Sequence, residues 1–355
     1  MIKIFLSFDF YGAGNIGDDL MMDGFLKGLK YNDYEFYCSI PREPEHQRVR
    51  FPSVNFVEFK EREKTAASCG IWVGVGDTPV QIKSGKWFLQ KLTADIELLR
   101  KGSKKYFMIG IGAEKEAVSE KEHYIKALER VDHFWTRDIS TTDIIVNDFE
   151  IPAQKVTSSS DLANISLSKI FSSGNKVNKF KYDIGICYYD ENAEEANLSA
   201  LKQFLKKSGL MRKKLLFSNA VNKKGIYEFE LYKKIFPMID RLLYNVELYQ
   251  PDYFSSGSIN ELLKHYTECE TIMTSRYHSA LTAAWAGSKV VILERSSKVS
   301  SLANELGIKE VKKPFTPDKL MEAYNNAVVT DPIILQEMLK RTSASVLDFE
   351  EIIRK

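Results

Sequence analysis

The stretch Thr271–Leu293 reads TIMTSRYHSALTAAWAGSKVVIL, and its reading decides the fold. Thr271-Ile272-Met273-Thr274 is a short β-branched, apolar run of strand type, and Lys289-Val290-Val291-Ile292-Leu293 is a second. Between them lies a helix built on Ala280, Ala283, Ala284 and Ala286, small side chains that let it pack tightly on a sheet. Gly287 ends that helix. Strand, helix and strand within 23 residues make a βαβ unit, so the two strands are parallel neighbours. Ser275 is placed to cap the helix, and Arg276 and His278 fall in its first turn, at the carboxyl end of a strand.

The same alternation runs through most of the chain. Ile2–Phe8, Glu35–Ile40, Cys69–Val75, Lys105–Ile109 and His133–Trp135 read as strands, with helical spacing over Leu20–Leu29, Phe88–Arg100 and Lys121–Arg130. Gly110-Ile111-Gly112-Ala113 reads as a turn. The pattern pauses between Leu167 and Lys181, where Ser168–Asn175 is small and polar and reads as a linker. It restarts with strands at Tyr182–Tyr188, Lys214–Ser218 and Val246–Tyr249 and helices at Asn197–Lys207, Glu228–Ile235, Ile239–Tyr244, Ile259–His265 and Ser300–Leu306. Thr316-Pro317-Asp318 and Asp331-Pro332 each put a capping side chain before a proline at the first helical position. At roughly 100–200 residues per domain, 355 residues give two α/β domains, 1–170 and 180–355, with the last helix packing back on the first. Ligands of such sheets sit beyond the carboxyl ends of the strands, so the expected site is a cleft faced by both domains.

Composition excludes several classes. Fifty basic and 48 acidic side chains leave a net charge of +2, which gives no electrostatic footprint for nucleic acid. Lys206-Lys207 and Lys312-Lys313 read as solvated faces. The four cysteines form no C-x-x-C pair, so buried free thiols are expected rather than a disulfide framework or a metal centre. The N-terminal apolar run is too short for a signal peptide and no run approaches a membrane span, so the expected location is cytoplasmic.

Tyr11-Gly12-Ala13-Gly14-Asn15-Ile16-Gly17-Asp18-Asp19 contains a literal G-x-G-x-x-G. A dinucleotide fingerprint is disfavoured here. The first glycine lies past the strand tip, and two carboxylates stand where a pyrophosphate would dock. The expectation is a tight loop in which Asn15, Gly17, Asp18 and Asp19 offer polar groups to sugar hydroxyls, or in which an aspartate simply caps the helix that follows. Arg276 and His278, at a helix start, suit an anion: the guanidinium as a bidentate clamp, the imidazole as donor or acid. Arg137, Arg295 and Lys298 each follow a strand and can add positive charge.

Gly14-Asn15-Ile16-Gly17-Asp18, Arg137-Asp138, Ser160-Asp161-Leu162-Ala163 and, above all, Ser275–Gly287 resemble the polysaccharide pyruvyl transferase family, in the family's order and across nearly the whole chain. The resemblance implies two Rossmann-like domains of the glycosyltransferase-B type. It implies transfer of an enolpyruvyl unit from phosphoenolpyruvate to a sugar hydroxyl, closing to a pyruvyl ketal, with no further cofactor and no metal. Arg276 and His278 match the family's R-x-H donor motif, and Arg137 best matches its upstream arginine. The acceptor is a sugar or oligosaccharide, in some cases lipid-linked, which would place the enzyme at the inner membrane face. Two departures stand out: Gly74-Val75-Gly76-Asp77 replaces a glycine run, and Glu294-Arg295 replaces an aromatic–acidic pair. Two rival readings are a glycosyltransferase using a nucleotide sugar and a non-catalytic relative. The signature of the second would be an Arg276 and His278 turned away or paired internally.

Overall fold

The structure is a computed structural model that describes residues 1–40, 45–82, 85–99, 104–172, 180–190, 195–221 and 227–355. The chain divides into two compact units. The first comprises Met1–Ala13, Asp18–Ser166 and Glu337–Lys355; the second comprises Gly14–Gly17 and Leu167–Gln336.

The first unit holds a seven-stranded sheet of β1 (Ile2–Leu6), β2 (Tyr34–Ile40), β3 (Val54–Glu58), β4 (Ile71–Val75), β5 (Lys105–Ile111), β6 (His133–Thr136) and β7 (Val156–Ser158), in the order β3-β2-β1-β4-β5-β6-β7. Every pairing in it is parallel. The second unit holds β8 (Tyr182–Cys187), β9 (Lys214–Phe217), β10 (Val246–Tyr249), β11 (Cys269–Thr274), β12 (Lys289–Leu293) and β13 (Glu310–Val311), ordered β10-β9-β8-β11-β12-β13. A short β14 (Val328–Val329) adds antiparallel to β12. Central strands buried on both faces read as continuous apolar runs, as Ile71–Val75 does. Strand order reverses between β1 and β4 and between β8 and β11, the switch points where such sheets open a crevice.

The βαβ unit over Thr271–Leu293 forms as its sequence predicts. Thr271–Thr274 pairs in parallel with Lys289–Ile292, and Ala280, Ala283 and Ala284 are buried beneath the helix Tyr277–Trp285. Elsewhere the chain departs from its local pattern. Gly110-Ile111 continues β5 rather than turning. Ser168–Ser172 extends the helix Ala163–Ser172 instead of forming a linker, because Ile165 and Leu167 bury on the same helix; Ser173–Asn175 lie outside the described residues. The edge strands β3 and β7, at three to five residues and only partly buried, carry too little pattern to stand out.

The last helix, Pro332–Arg354, starts as its sequence predicts, with Asp331 accepting the Ile333 N–H at 2.9 Å. From Glu337 onward it belongs to the first unit. Phe349 packs on Phe25 and Trp135, and the buried carboxylate of Glu350 accepts the N–H groups of Lys30 and Tyr31 and the Tyr34 hydroxyl. All four cysteines are buried and free. Among the described residues, no helix is long and apolar enough to cross a membrane.

Candidate active site

The second unit gathers its polar groups at the carboxyl ends of β8, β9 and β11. Thr274 Oγ1 donates to the Cys187 carbonyl at 2.7 Å and accepts the Arg276 N–H at 3.0 Å, so the chain leaving β11 is fixed against β8. Ser275 does not cap the helix. Its hydroxyl donates to the Tyr189 carbonyl at 2.7 Å and accepts the Tyr189 N–H at 2.9 Å, and Arg276 becomes the residue before the first helical turn, in extended conformation. Ser275, expected at the substrate, is fully buried and serves as a clasp between two strand ends.

Arg276 rests on the Tyr189 ring, 4.5 Å from its centroid, with Arg295 at 5.1 Å from the same ring. Two guanidiniums therefore share one aromatic ring, and Lys298 is half-buried on the helix Ser297–Glu305 that follows. Arg276 also pairs with Glu228: Nε donates to Oε1 at 2.5 Å, and Nη2 is in contact with the same oxygen. Burial opposes the Arg276 charge, but the Glu228 carboxylate more than offsets that, holding the guanidinium above its ordinary pKa. Burial first, then the Glu228 charge, pushes the nearby Cys187 thiol well up, so it stays protonated.

Glu228 was not singled out in the sequence. Its second oxygen accepts the N–H of Asn219 at 2.7 Å and of Ala220 at 3.4 Å, so one buried carboxylate joins Arg276 to the turn after β9. That turn in turn holds the glycine loop. Asn15 and Ala220 form an antiparallel bridge, Val221 N–H donates to Gly14 O at 2.6 Å, and Ile16 N–H to Asn219 O at 3.3 Å. Gly14 takes φ +109°, a conformation that needs glycine. Gly17 sits so close to His278 that a Cβ there would clash with the imidazole at Nδ1. Asn15, Gly17, Arg276 and His278 are thus brought together, with Glu228 and Asn219 as their frame.

The helix after the loop begins at Ile16, four residues earlier than its apolar pattern suggests, because Asn15 Oδ1 accepts the Gly17 N–H at 3.2 Å and acts as the cap. Asp18 and Asp19 therefore lie inside the first turn and belong to the first unit. Asp18 is 7% exposed. Asp19, expected to meet sugar hydroxyls, has no exposed surface. Its carboxylate pairs with Arg50 and accepts Gln47 Nε2 at 3.2 Å and Gly12 N–H at 3.3 Å, which makes it a structural anchor.

In the first unit, Arg137 follows β6, is 2% exposed, donates to Thr78 Oγ1 at 3.0 Å and packs where a side chain on Gly112 would stand. Asp138 caps the next helix by accepting the Thr141 N–H at 2.6 Å. The same unit carries a groove of about 800 Å³ lined by Asp9, Phe10, Phe59, Arg62, Trp87 and Lys91. Arg62 Nε and Lys91 Nζ both donate to Asp9 Oδ2, at 2.9 and 2.8 Å. Trp87 is 43% exposed there, not buried in the core as an aromatic usually is.

The family description for polysaccharide pyruvyl transferase matches residues 15–297, from the capping asparagine of the glycine loop through both units to the helix beyond Arg295. The chain belongs to that family. No functionally curated protein matches it. The fold is that of the glycosyltransferase-B-like enzymes. Anabaena HepE in complex with UDP is similar at 11% identity and a TM-score of 0.61, covering all of both chains. S. aureus MnaA, solved with UDP, is similar at 10% and 0.64, covering 99% of this chain and 96% of that one. A Neisseria meningitidis UDP-GlcNAc 2-epimerase bound to UDP-GlcNAc is similar at 10% and 0.61, covering 100% and 99%. The protein is accordingly a transferase by family, and a sugar polymer is the acceptor class its family implies.

Proposed function

We propose that this pyruvyl transferase family member takes phosphoenolpyruvate as donor and places a pyruvyl ketal on two hydroxyls of a polysaccharide or its lipid-linked precursor. The observation that carries the reading is the R-x-H pair at a strand-to-helix junction, where Arg276 is held by Glu228 and His278 is seated on Gly17. In this reaction the donor methylene carbon gains a proton and becomes a methyl group. The neighbouring carbon forms a bond to the first acceptor oxygen, whose proton is released. A second hydroxyl then forms its own bond to that carbon as the carbon–phosphate oxygen bond breaks, its proton passes to the departing phosphate, and inorganic phosphate leaves. Two hydroxyls and one phosphoenolpyruvate give one ketal and one phosphate.

Arg276 supplies the fixed cation for the donor carboxylate or phosphate, with Arg295 beside it on Tyr189. His278 hydrogen-bonds the phosphate and delivers the proton, help of the kind worth about 10²–10⁴ in rate. Arg137 is the match to the family's upstream arginine; 2% exposed and held by Thr78, it orders the end of β6 rather than standing open to the donor. The acceptor lies on the first unit, where the exposed Trp87 and the Asp9 and Lys91 head groups offer a stacking face and hydrogen-bonding partners for pyranose rings.

The internal Arg276–Glu228 pair is what a non-catalytic relative would also display, and the nucleotides named in the HepE and MnaA structures mark the other rival. One experiment separates all three: phosphate release from phosphoenolpyruvate is measured beside calorimetric titration of phosphoenolpyruvate and UDP. Tight phosphoenolpyruvate binding that is lost in Arg276→Ala, with turnover lost in His278→Ala, supports the proposal. UDP binding alone favours the glycosyltransferase. Binding of neither, with a folded protein, overturns both enzymatic readings.

A further inference from the structure

Six large apolar side chains of the second unit are turned outward in two segments of the chain. Leu210 and Met211 are 60% and 92% exposed, and Met238, Ile239, Leu242 and Leu243 are 60–75% exposed. The short helix Met238–Leu243 buries none of its residues. The two segments are neighbours in space. The ammonium of Lys214 donates to the carbonyls of Gly209 at 2.7 Å, Arg212 at 2.9 Å and Tyr244 at 2.8 Å, which ties the turn carrying Leu210 and Met211 to the end of the helix carrying Leu242 and Leu243. Lys206 reinforces the junction, 4.9 Å from the Tyr244 ring centroid.

The charge around this patch is one-sided. The chain as a whole is balanced, 50 cations to 48 acids, yet Lys206–Lys213 and Lys233–Leu243 together carry seven cations and a single acid, Asp240. Asp240 is committed to Lys202 at 2.7 Å and Lys206 at 3.6 Å. An exposed apolar cluster ringed by lysine and arginine is the pattern of an interfacial membrane surface: the side chains enter the acyl boundary while the cations meet anionic headgroups. A two-fold contact with a second copy would set the same cationic rim against itself, which is repulsive.

We propose that this face of the second unit docks on an anionic lipid bilayer. The patch sits before β9 and β10, at the amino ends of the parallel strands, whereas Arg276 and the turn after β9 lie at their carboxyl ends. Docking there leaves the candidate site facing away from the lipid surface and open to a soluble donor. Lys206-Lys207, a solvated face by sequence alone, becomes part of a binding surface because the fold sets exposed leucines beside it.

The test is co-sedimentation of the full chain with vesicles of phosphatidylcholine alone and of phosphatidylcholine mixed with phosphatidylglycerol. The protein should pellet with the anionic vesicles, less so at high salt. Met211→Glu with Leu242→Glu should lower partitioning at least about tenfold, from lost apolar burial and added repulsion. Ile333→Glu, an exposed apolar position elsewhere in the second unit, should change nothing. Failure to pellet overturns the proposal, as does equal loss in Ile333→Glu. A dimer by light scattering that the double variant converts to monomer also overturns it, assigning the face to a second copy. Because all three substituted positions are exposed, the variants should melt with the parent. Phosphate release without vesicles reads the donor reaction separately, so either proposal can fail while the other stands.

Discussion

Each unit contains an arginine paired with a buried carboxylate, and the two pairs do different work. Arg50 and Asp19 in the first unit are sealed, with side chains 1% and 0% exposed. In the second, Glu228 is equally buried at 1%, but Arg276 keeps 19% of its surface open. The first pair fastens the glycine loop to the helix Glu45–Arg50. The second holds one half of a guanidinium and leaves part of it reachable. The chemistry of the pair is the same; the degree of burial separates an anchor from a binding group, since only the reachable cation can meet a ligand.

Removing each acid should widen that contrast. Asp19→Ala strands Arg50 with its charge fully buried and should cost about 3–5 kcal/mol of stability, read as a lower denaturant midpoint. Glu228→Ala should cost less, about 1–3 kcal/mol, because Arg276 can turn to water. Yet it should cut phosphate release from phosphoenolpyruvate at least about tenfold in the folded protein. Equal stability losses would break the comparison.

His265 supplies a third case, a buried base with no carboxylate at all. Its ring lies between Phe217, Tyr249 and Tyr266, neither ring nitrogen finds a hydrogen-bond partner among the described residues, and burial pushes its pKa down to about 3. The unfolded chain, with an ordinary imidazole, takes up the proton first. The stability due to neutral His265 is therefore complete above about pH 6.5 and is lost as pH falls toward 3, by at most about 1.4 kcal/mol per pH unit. His265→Phe should flatten the melting temperature across that window and leave it unchanged at pH 8. Gly17→Ala keeps the helix but displaces His278, so turnover should fall about tenfold while the melt moves little.

Much of the site was legible in the sequence because its parts are contiguous. Ser275 to His278 are read from one strand end and one helix start, and Asn15 and Gly17 from one loop. Glu228 was not legible: it lies 48 residues from Arg276, on a helix whose pattern reads as an ordinary amphipathic face. Arg50, 31 residues from Asp19, left the same gap on the other side, so two adjacent aspartates looked like sugar ligands when one is an anchor. Tyr189 and Trp87 carry no marker that tells a stacking surface from core, and burial alone separates them from the fully packed Tyr188.

The sequence by itself determined the alternation of strand and helix, the division into two α/β sheets, the family, and the position of Arg276 and His278 at a strand's carboxyl end. These follow from hydrophobic period, caps and small-residue spacing, which act within about ten residues. Tertiary structure alone decided which acid each arginine meets, which glycine makes room for the imidazole, and which lysines border exposed leucines. Those outcomes depend on side chains tens of residues apart reaching one place, and no local preference encodes that distance.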